Sequence, residues 1–324
     1  MPHFISSLLR AAILSLVLVL FLPLPHQGQP PYNRQYVTVA GKKMSYKSFG
    51  LNTRLPGNPV LIFEAGYGVG GAINFTSLFP ALSKTASGLG YDRNGEGESE
   101  QDTTVMTSRD RAQRLHAFLQ VAHVKPPYIL IGHSMGGSII RMFTSLYPAE
   151  VAGLVFIDPA DFMQSKKQHE ALRLAIHLDQ DDSISAVRRL ERMAADTMLP
   201  TLPRHRARQQ LRELDRNRDL REFDSLAPLP DIPMAVLLTY NSPRPTPRDT
   251  AAARQMPTKA VMEMMNHFRI ENYQALLENS DSGYIMLLPK YQHFVHEQNP
   301  ALVVTVIEGI YQKALEGLKG SNEK

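Results

Sequence analysis

Short, unbroken apolar runs recur along the chain, each followed by turn-forming residues and then by sequence with helical spacing. Pro59-Val60-Leu61-Ile62-Phe63, Tyr128-Ile129-Leu130-Ile131 and the stretch Gly153 to Ile157 show no polar alternation, the pattern of strands covered on both faces. Upstream, Tyr36-Val37-Thr38-Val39 and Met44-Ser45-Tyr46 flank a Gly41 turn and read as a hairpin, and Gly88-Leu89-Gly90-Tyr91 reads as a weaker strand. A helix beginning near Ser108-Arg109-Asp110 carries Leu115 to Val121, and another helix separates the runs that end at Ile131 and begin at Gly153. Strands resume at Met234 to Leu238 and Tyr284 to Leu288, and a closing helix runs from about Pro300 to Leu318. This alternation predicts an α/β fold, a mostly parallel sheet with helices on both faces.

The alternation stops between about Ala160 and Pro230, where charge-rich helical sequence replaces strands. The chain therefore divides into a core of residues 35–159 and 231–320 and a helical insertion of residues 160–230. Within it, Arg204 to Glu222 is rich in arginine, but Glu213, Asp215, Asp219 and Glu222 interleave with the basic residues while Leu211, Leu214, Leu220 and Phe223 mark an apolar face. That is a solvated amphipathic helix, and no nucleic-acid partner is expected. At the other extreme, Arg10 precedes the apolar stretch Ala11 to Leu22, which ends at Pro23 and Pro25. Residues 1–30 read as an export signal with a linker, shorter than the roughly 20 apolar residues of a comfortable membrane span. No small-residue cleavage site follows, so both a removed signal peptide and an uncleaved signal anchor fit. The expected location is exported, secreted or periplasmic, or anchored to the membrane by that segment.

Composition adds little beyond bounds. With 324 residues and 43% hydrophobic content the chain can bury a full core. Its 35 Lys and Arg nearly balance 31 Asp and Glu, so no acidic partner is implied, and the absence of cysteine excludes disulfides, thiolate metal sites and a cysteine nucleophile.

Gly132-His133-Ser134-Met135-Gly136 is a G-x-S-x-G placed between a buried strand and a helix start. A strand that turns abruptly into a helix at serine needs small flanking residues and leaves the Oγ exposed, which makes Ser134 a candidate nucleophile. Such a serine needs a base, an acid to orient it and donors for an oxyanion. His293 and His296 follow the last strand at the edge where sites of parallel sheets gather; His293 is the candidate base and His296 the alternative. Their H-x-x-H spacing lacks a further ligand cluster, so no metal is expected. Glu64-Ala65-Gly66-Tyr67-Gly68 follows a buried strand, and the backbone N–H groups of Tyr67 and Met135 are candidate oxyanion donors. The acid is either Asp158, at a strand end in Phe156-Ile157-Asp158-Pro159, or Asp249, which requires the Pro243 to Pro247 segment to fold back. As a mere turn or cap residue, Asp158 would leave Asp249 in the role. Met193, Met198, Met262, Met264 and Met265 fit ordinary core packing, or an adaptable apolar acyl site.

Gly66-x-Gly68-x-x-Gly71 with Asp92 about twenty residues on also matches a dinucleotide-binding fingerprint, but Pro80 falls within the helix that fingerprint needs. Taken together, Gly132-His133-Ser134-Met135-Gly136-Gly137, Ala65-Gly66-Tyr67-Gly68 and Tyr91-Asp92-Arg93-Asn94-Gly95-Glu96-Gly97-Glu98-Ser99 make the chain resemble the α/β-hydrolase fold superfamily, from Gln35 to the final helix. The three segments are similar to that family's nucleophile elbow, oxyanion loop and turn after the fourth strand. The resemblance implies the chain order Ser134, Asp158, His293 and makes the insertion a cap. Two departures stand out: Ala65 occupies a position where many members carry histidine, and no acid follows the strand after the insertion at Asn241-Ser242. Some members, haloalkane dehalogenases among them, place the acid before the cap, as Asp158 would be. The expected activity is a serine hydrolase cleaving an ester-type bond of a small or lipid-like substrate without a cofactor. The alternatives are a noncatalytic binding protein on the same fold and a dinucleotide-dependent oxidoreductase.

Overall fold

A computed structural model describes residues 32–67, 71–105, 107–179, 193–196, 198, 221–240 and 259–322, and the fold belongs to Asn33–Lys324. The segment read as an export signal, the amphipathic stretch 204–220, about half of the insertion and Asp249 lie outside the described residues. Among the described residues no helix is long and apolar enough to cross a membrane.

Among the described residues eight strands form one sheet, and taken in chain order they lie first, second, fourth, third, fifth, sixth, seventh and eighth across it. The hairpin is β1 (Arg34–Val39) with β2 (Lys42–Phe49), and β2 pairs antiparallel with β4 (Ser87–Tyr91). From β4 onward every pairing is parallel, through β3 (Val60–Glu64), β5 (Tyr128–His133), β6 (Val151–Ile157), β7 (Met234–Thr239) and β8 (Tyr284–Leu288). The apolar runs are strands because both faces are covered. Ile62, Leu130, Phe156 and Val236 point into one layer with Phe118, Ile140, Phe143 and Tyr273. Their neighbours along the strands serve the other layer, where Phe63 meets Phe75 and Phe79 with ring centroids 5.1 and 5.6 Å apart.

The helices are α1 (Phe79–Leu82), α2 (Ser108–Val121), α3 (Met135–Leu146), α4 (Lys166–Asp179), α5 (Arg221–Asp224), α6 (Lys259–Leu276), α7 (Val295–Gln298) and α8 (Pro300–Asn322). Helix α2 starts where its sequence dictates: Asp110 N–H donates to Thr107 Oγ1 at 3.1 Å and Thr107 N–H to Asp110 Oδ2 at 2.9 Å, a reciprocal cap. Helix α6, which supplies the crossover from β7 to β8, has no counterpart in the sequence reading. Its signal was a helical spacing of Val261, Met265, Phe268 and Tyr273 interrupted by polar residues on the buried face, Asn266 among them. Of the methionines considered for the core, Met198 is 91% exposed and packs in none.

Chain connections run leftward from β3 to β4 and rightward from β5 to β6, so the direction of winding reverses between β3 and β5. A crevice opens at the strand ends at such a reversal. Helix α3 can lie directly behind it only because Gly136 has no side chain: a Cβ there would come within 2.2 Å of the Glu64 carbonyl oxygen and 2.8 Å of that of Ala65. Gly136→Ala is expected to lower stability by about 3 kcal/mol in denaturant titration. Gly309→Ala, on an exposed part of α8 with nothing within 4 Å of the new methyl, is expected to raise it by roughly 0.5–1 kcal/mol.

Candidate active site

Residues from six strand ends, those of β3 to β8, meet at the carboxyl edge of the sheet. Ser134 follows β5 and precedes α3 with φ 53° and ψ −121°, a left-handed backbone that costs a β-carbon-bearing residue roughly 1–3 kcal/mol. Three backbone bonds hold it there. Ser134 N–H donates to the Ile157 carbonyl at 3.1 Å, and the Ser134 carbonyl accepts from Gly137 and Ala160 N–H, both at 3.0 Å.

Asp158 continues β6 with φ 39°, its N–H donating to the Leu237 carbonyl at 2.7 Å. Its carboxylate is buried and fully engaged. Oδ2 accepts from His293 Nδ1 at 2.7 Å, while Oδ1 accepts from Thr239 N–H at 3.0 Å and from Arg269 Nη2 at 2.7 Å. Burial alone would raise this carboxyl, but the bond from His293, the charge and bond of Arg269 and the Thr239 N–H outweigh it and hold the group at about 2. Because the carboxylate can only accept, His293 Nδ1 carries the proton and Nε2 keeps a basic lone pair. Asp158 and His293, separated by 135 residues in the chain, are thus brought together. Arg269 was not anticipated. It lies on the helix that the sequence reading omitted, and no local motif marks it.

His296 is placed differently. It lies fully buried in α7, its ring 5.0 Å from Phe75 and 4.6 Å from His133, with neither ring nitrogen hydrogen-bonded among the described residues. His133, inside the elbow itself, gives its Nε2–H to the His293 carbonyl at 2.9 Å and so ties the histidine loop to β5. Burial, reinforced by neighbouring imidazoles, lowers His133 to about 4 and His296 to about 3.

The glycine-rich loop is fixed from behind by a buried ion network. Arg93 donates to Glu64 at 2.6 Å, to Glu96 at 2.8 Å and to the main-chain carbonyls of Ala65 and, at 2.5 Å, Gly66, while Tyr91 Oη donates to Glu64. In a trans peptide the C=O and N–H point in opposite directions. Tying the Gly66 carbonyl to Arg93 therefore turns the Tyr67 N–H away from Arg93. Gly66 also lies against the elbow, since a Cβ there would be 3.1 Å from Ser134 Cβ and 2.9 Å from His133 Nδ1.

The fingerprint residues serve other ends. The segment from Gly71 to Phe75 is a 3₁₀ turn, and buried Asp92 bonds Arg34, Ser45 Oγ and, at 3.0 Å, Glu98 N–H. Among the described residues no three His, Cys, Asp or Glu side chains are grouped to hold a metal ion.

Residues 56–306 match the alpha/beta hydrolase family, and the chain belongs to that family. Its relatives include Lipase 3 of Moraxella sp. (strain TA144), 32% identical over 129 residues that make up 38% of each chain, and the monoacylglycerol lipase ABHD6 of Rattus norvegicus, 27% identical over 109 residues, 33% of this chain and 28% of that one. YqjL of Bacillus subtilis is 32% identical over 100 residues, 31% of this chain and 39% of its own. The chain spans about two fifths or less of the length of these relatives. Among solved structures, a thermophilic esterase from Thermogutta terrifontis superposes with TM-score 0.54 at 17% identity, covering 87% of this chain and 99% of that one. The epoxide hydrolase CorEH gives 0.54 at 16% identity over 86% and 98%. At such identities the structural likeness speaks for the fold. Family membership thus rests on the sequence, and curated relatives named lipases are among the proteins it is similar to.

The depressed imidazoles set a pH dependence of stability. Below pH 6.5 an unfolded histidine takes up a proton that folded His133 and His296 refuse until about 4 and about 3. Stability is therefore expected to fall as pH is lowered from 6.5 toward 4, by up to about 1.4 kcal/mol per pH unit for each ring. Asp158 acts in a lower window, contributing above 3.8 and losing its share as pH drops through about 2. Denaturant midpoints measured against pH check this, with His296→Leu expected to flatten the upper slope.

Proposed function

We propose that this protein is a serine hydrolase that cleaves a carboxylic ester by acyl transfer, with Ser134 as nucleophile, His293 as base and Asp158 as the acid that orients it. The observation that carries the reading is the 2.7 Å bond between Asp158 and His293 Nδ1, on the same sheet edge as a serine held in a strained strand-to-helix turn. That bond leaves His293 Nε2 as the proton acceptor. Ser134 Oγ attacks the ester carbonyl as Nε2 takes its proton, the imidazolium is stabilised by Asp158, and the proton passes to the departing alcohol. Water then repeats the sequence on the acyl-enzyme and frees the acid. The Tyr67 N–H, turned away from Arg93, and the Met135 N–H at the positive end of α3 would receive the oxyanion.

An apolar, lipid-like acyl group is supported by the relatives named as lipases. Residues 1–30 would deliver the enzyme across the membrane or hold it there; a reporter fused behind them, lost from the cytoplasm only when they are present, tests that.

Fluorophosphonate labelling of the purified protein is the direct test. Labelling is expected in the native protein, absent in Ser134→Ala, retained in Asp249→Asn and reduced strongly in Asp158→Asn, whose ester turnover should drop about 10³–10⁴-fold. Labelling that survives Ser134→Ala would overturn the assignment.

A further inference from the structure

Asp158 receives more than an orienting acid requires. Two oriented donors fix a carboxylate, and His293 with Thr239 N–H already provides one for each oxygen. Arg269 adds a full charge 2.7 Å from Oδ1, the oxygen that the imidazole does not bond, and also donates to the Pro159 carbonyl at 3.2 Å. The same face of α6 grips the following residues. Asn272 Nδ2 donates to both Asp161 oxygens at 3.1 Å, and Tyr273 Oη to the Ala160 carbonyl at 2.8 Å. Positions 269, 272 and 273 are three and four apart, so one helical face meets the whole segment 158–161.

We infer that Arg269 is a positioning residue that turns Asp158 Oδ2 toward His293 and offsets the carboxylate's charge, so that the imidazole faces a weaker anion than the acid alone would present. This rests on the proposed triad. The physical reason is competition for one anion. A carboxylate shared with a guanidinium attracts a second cation less strongly, so its neighbour imidazole gains less from taking up a proton. Arginine suits the task because it never gives up its own proton and its fork can hold a carboxylate and a carbonyl together.

Among the described residues, the other groups around the pair do not supply this offset. His133 from β5 and His296 from α7 are kept neutral by burial, and Arg93, beyond His133, is engaged by Glu64 and Glu96. Asp161 is held by Asn272 and the Tyr273 phenol by the Ala160 carbonyl. Elsewhere on α6, Glu271 pairs with His267 and Glu263 with Lys259 at exposed positions.

The test compares Arg269→Gln, Arg269→Lys and Asn272→Ala in the full chain. The readouts are the titration of His293 followed by NMR of labelled imidazoles, and the acidic limb of kcat/KM against pH for a p-nitrophenyl ester. Removing the charge should raise the His293 midpoint and move the acidic limb up by roughly 0.5–1 pH unit, while Arg269→Lys stays within about 0.3 of the native protein. Asn272→Ala, which loosens the same contact without changing charge, should lower the melting temperature and leave the midpoint in place. A folded Arg269→Gln whose His293 midpoint does not move overturns the inference. If Arg269→Gln does not fold, Arg269→Met replaces it: a raised His293 midpoint there would support the inference and an unmoved one would overturn it. The NMR titration needs no turnover, so a protein in which Ser134 fails to label would refute the serine hydrolase reading while still testing Arg269.

Discussion

Parallel pairing of β5 with β3 on one side and β6 on the other is the constraint from which the site follows. Glu64 pairs with Gly132, Gly132 with Phe156 and His133 with Ile157, so the three strands end at one level. A parallel sheet sends every chain out at the same edge, and the loop after β3, Ser134 and Asp158 emerge side by side without any side chain having to seek another. Level ends also let backbone groups serve across strands: the Ile157 carbonyl holds Ser134 N–H, and the Leu237 carbonyl holds Asp158 N–H. The left-handed φ values at Ser134 and Asp158 persist because these bonds over-determine the turns.

Two arginines, Arg93 buried and Arg269 half-buried, convert that edge into fixed geometry. Arg93 and Arg269 each combine a carboxylate with main-chain carbonyls, Arg93 at Ala65 and Gly66 and Arg269 at Pro159. Burying charge is costly, and a guanidinium that satisfies several acceptors in one plane recovers more of that cost than any single pair. The result is rigidity where small displacements matter most. The loop after β3 cannot rotate without breaking its carbonyl bonds to Arg93, nor can the segment after β6 swing without pulling away from α6. His133 completes the frame by joining the His293 carbonyl to the elbow.

The core strands, the two-faced α/β architecture and the elbow were legible because their signals are local. A strand buried on both faces must be apolar throughout, as Leu61, Ile129 and Val155 are, and a tight strand-to-helix turn must be flanked by small residues, as Gly132 and Gly136 are. Helix α6 was not legible. Its buried face carries Asn266 and its half-buried positions carry Arg269 and Asn272, polar residues that are useful only because Asp158 and Asp161 stand opposite. Amphipathic spacing cannot reveal a face whose partners are charged and more than a hundred residues away.

His293 and His296 show the same division within one short segment. Both follow β8 and both are plausible bases by position, yet one lies on Asp158 and the other packs against Phe75 with its nitrogens unpaired among the described residues. The start of α7 between them turns the second ring inward, a matter of one helical turn that the residues alone do not specify. The sequence by itself determined the core strands, their alternation with helices and the serine at the strand-to-helix turn, because each is written in residues adjacent along the chain; the order of the strands, and the reversal it creates, is a tertiary result. Only the tertiary structure decided which histidine meets Asp158, and that an arginine from an unmarked helix meets it too. Such pairings depend on how separate elements pack, and hydrogen-bond distances between them are set by the whole sheet.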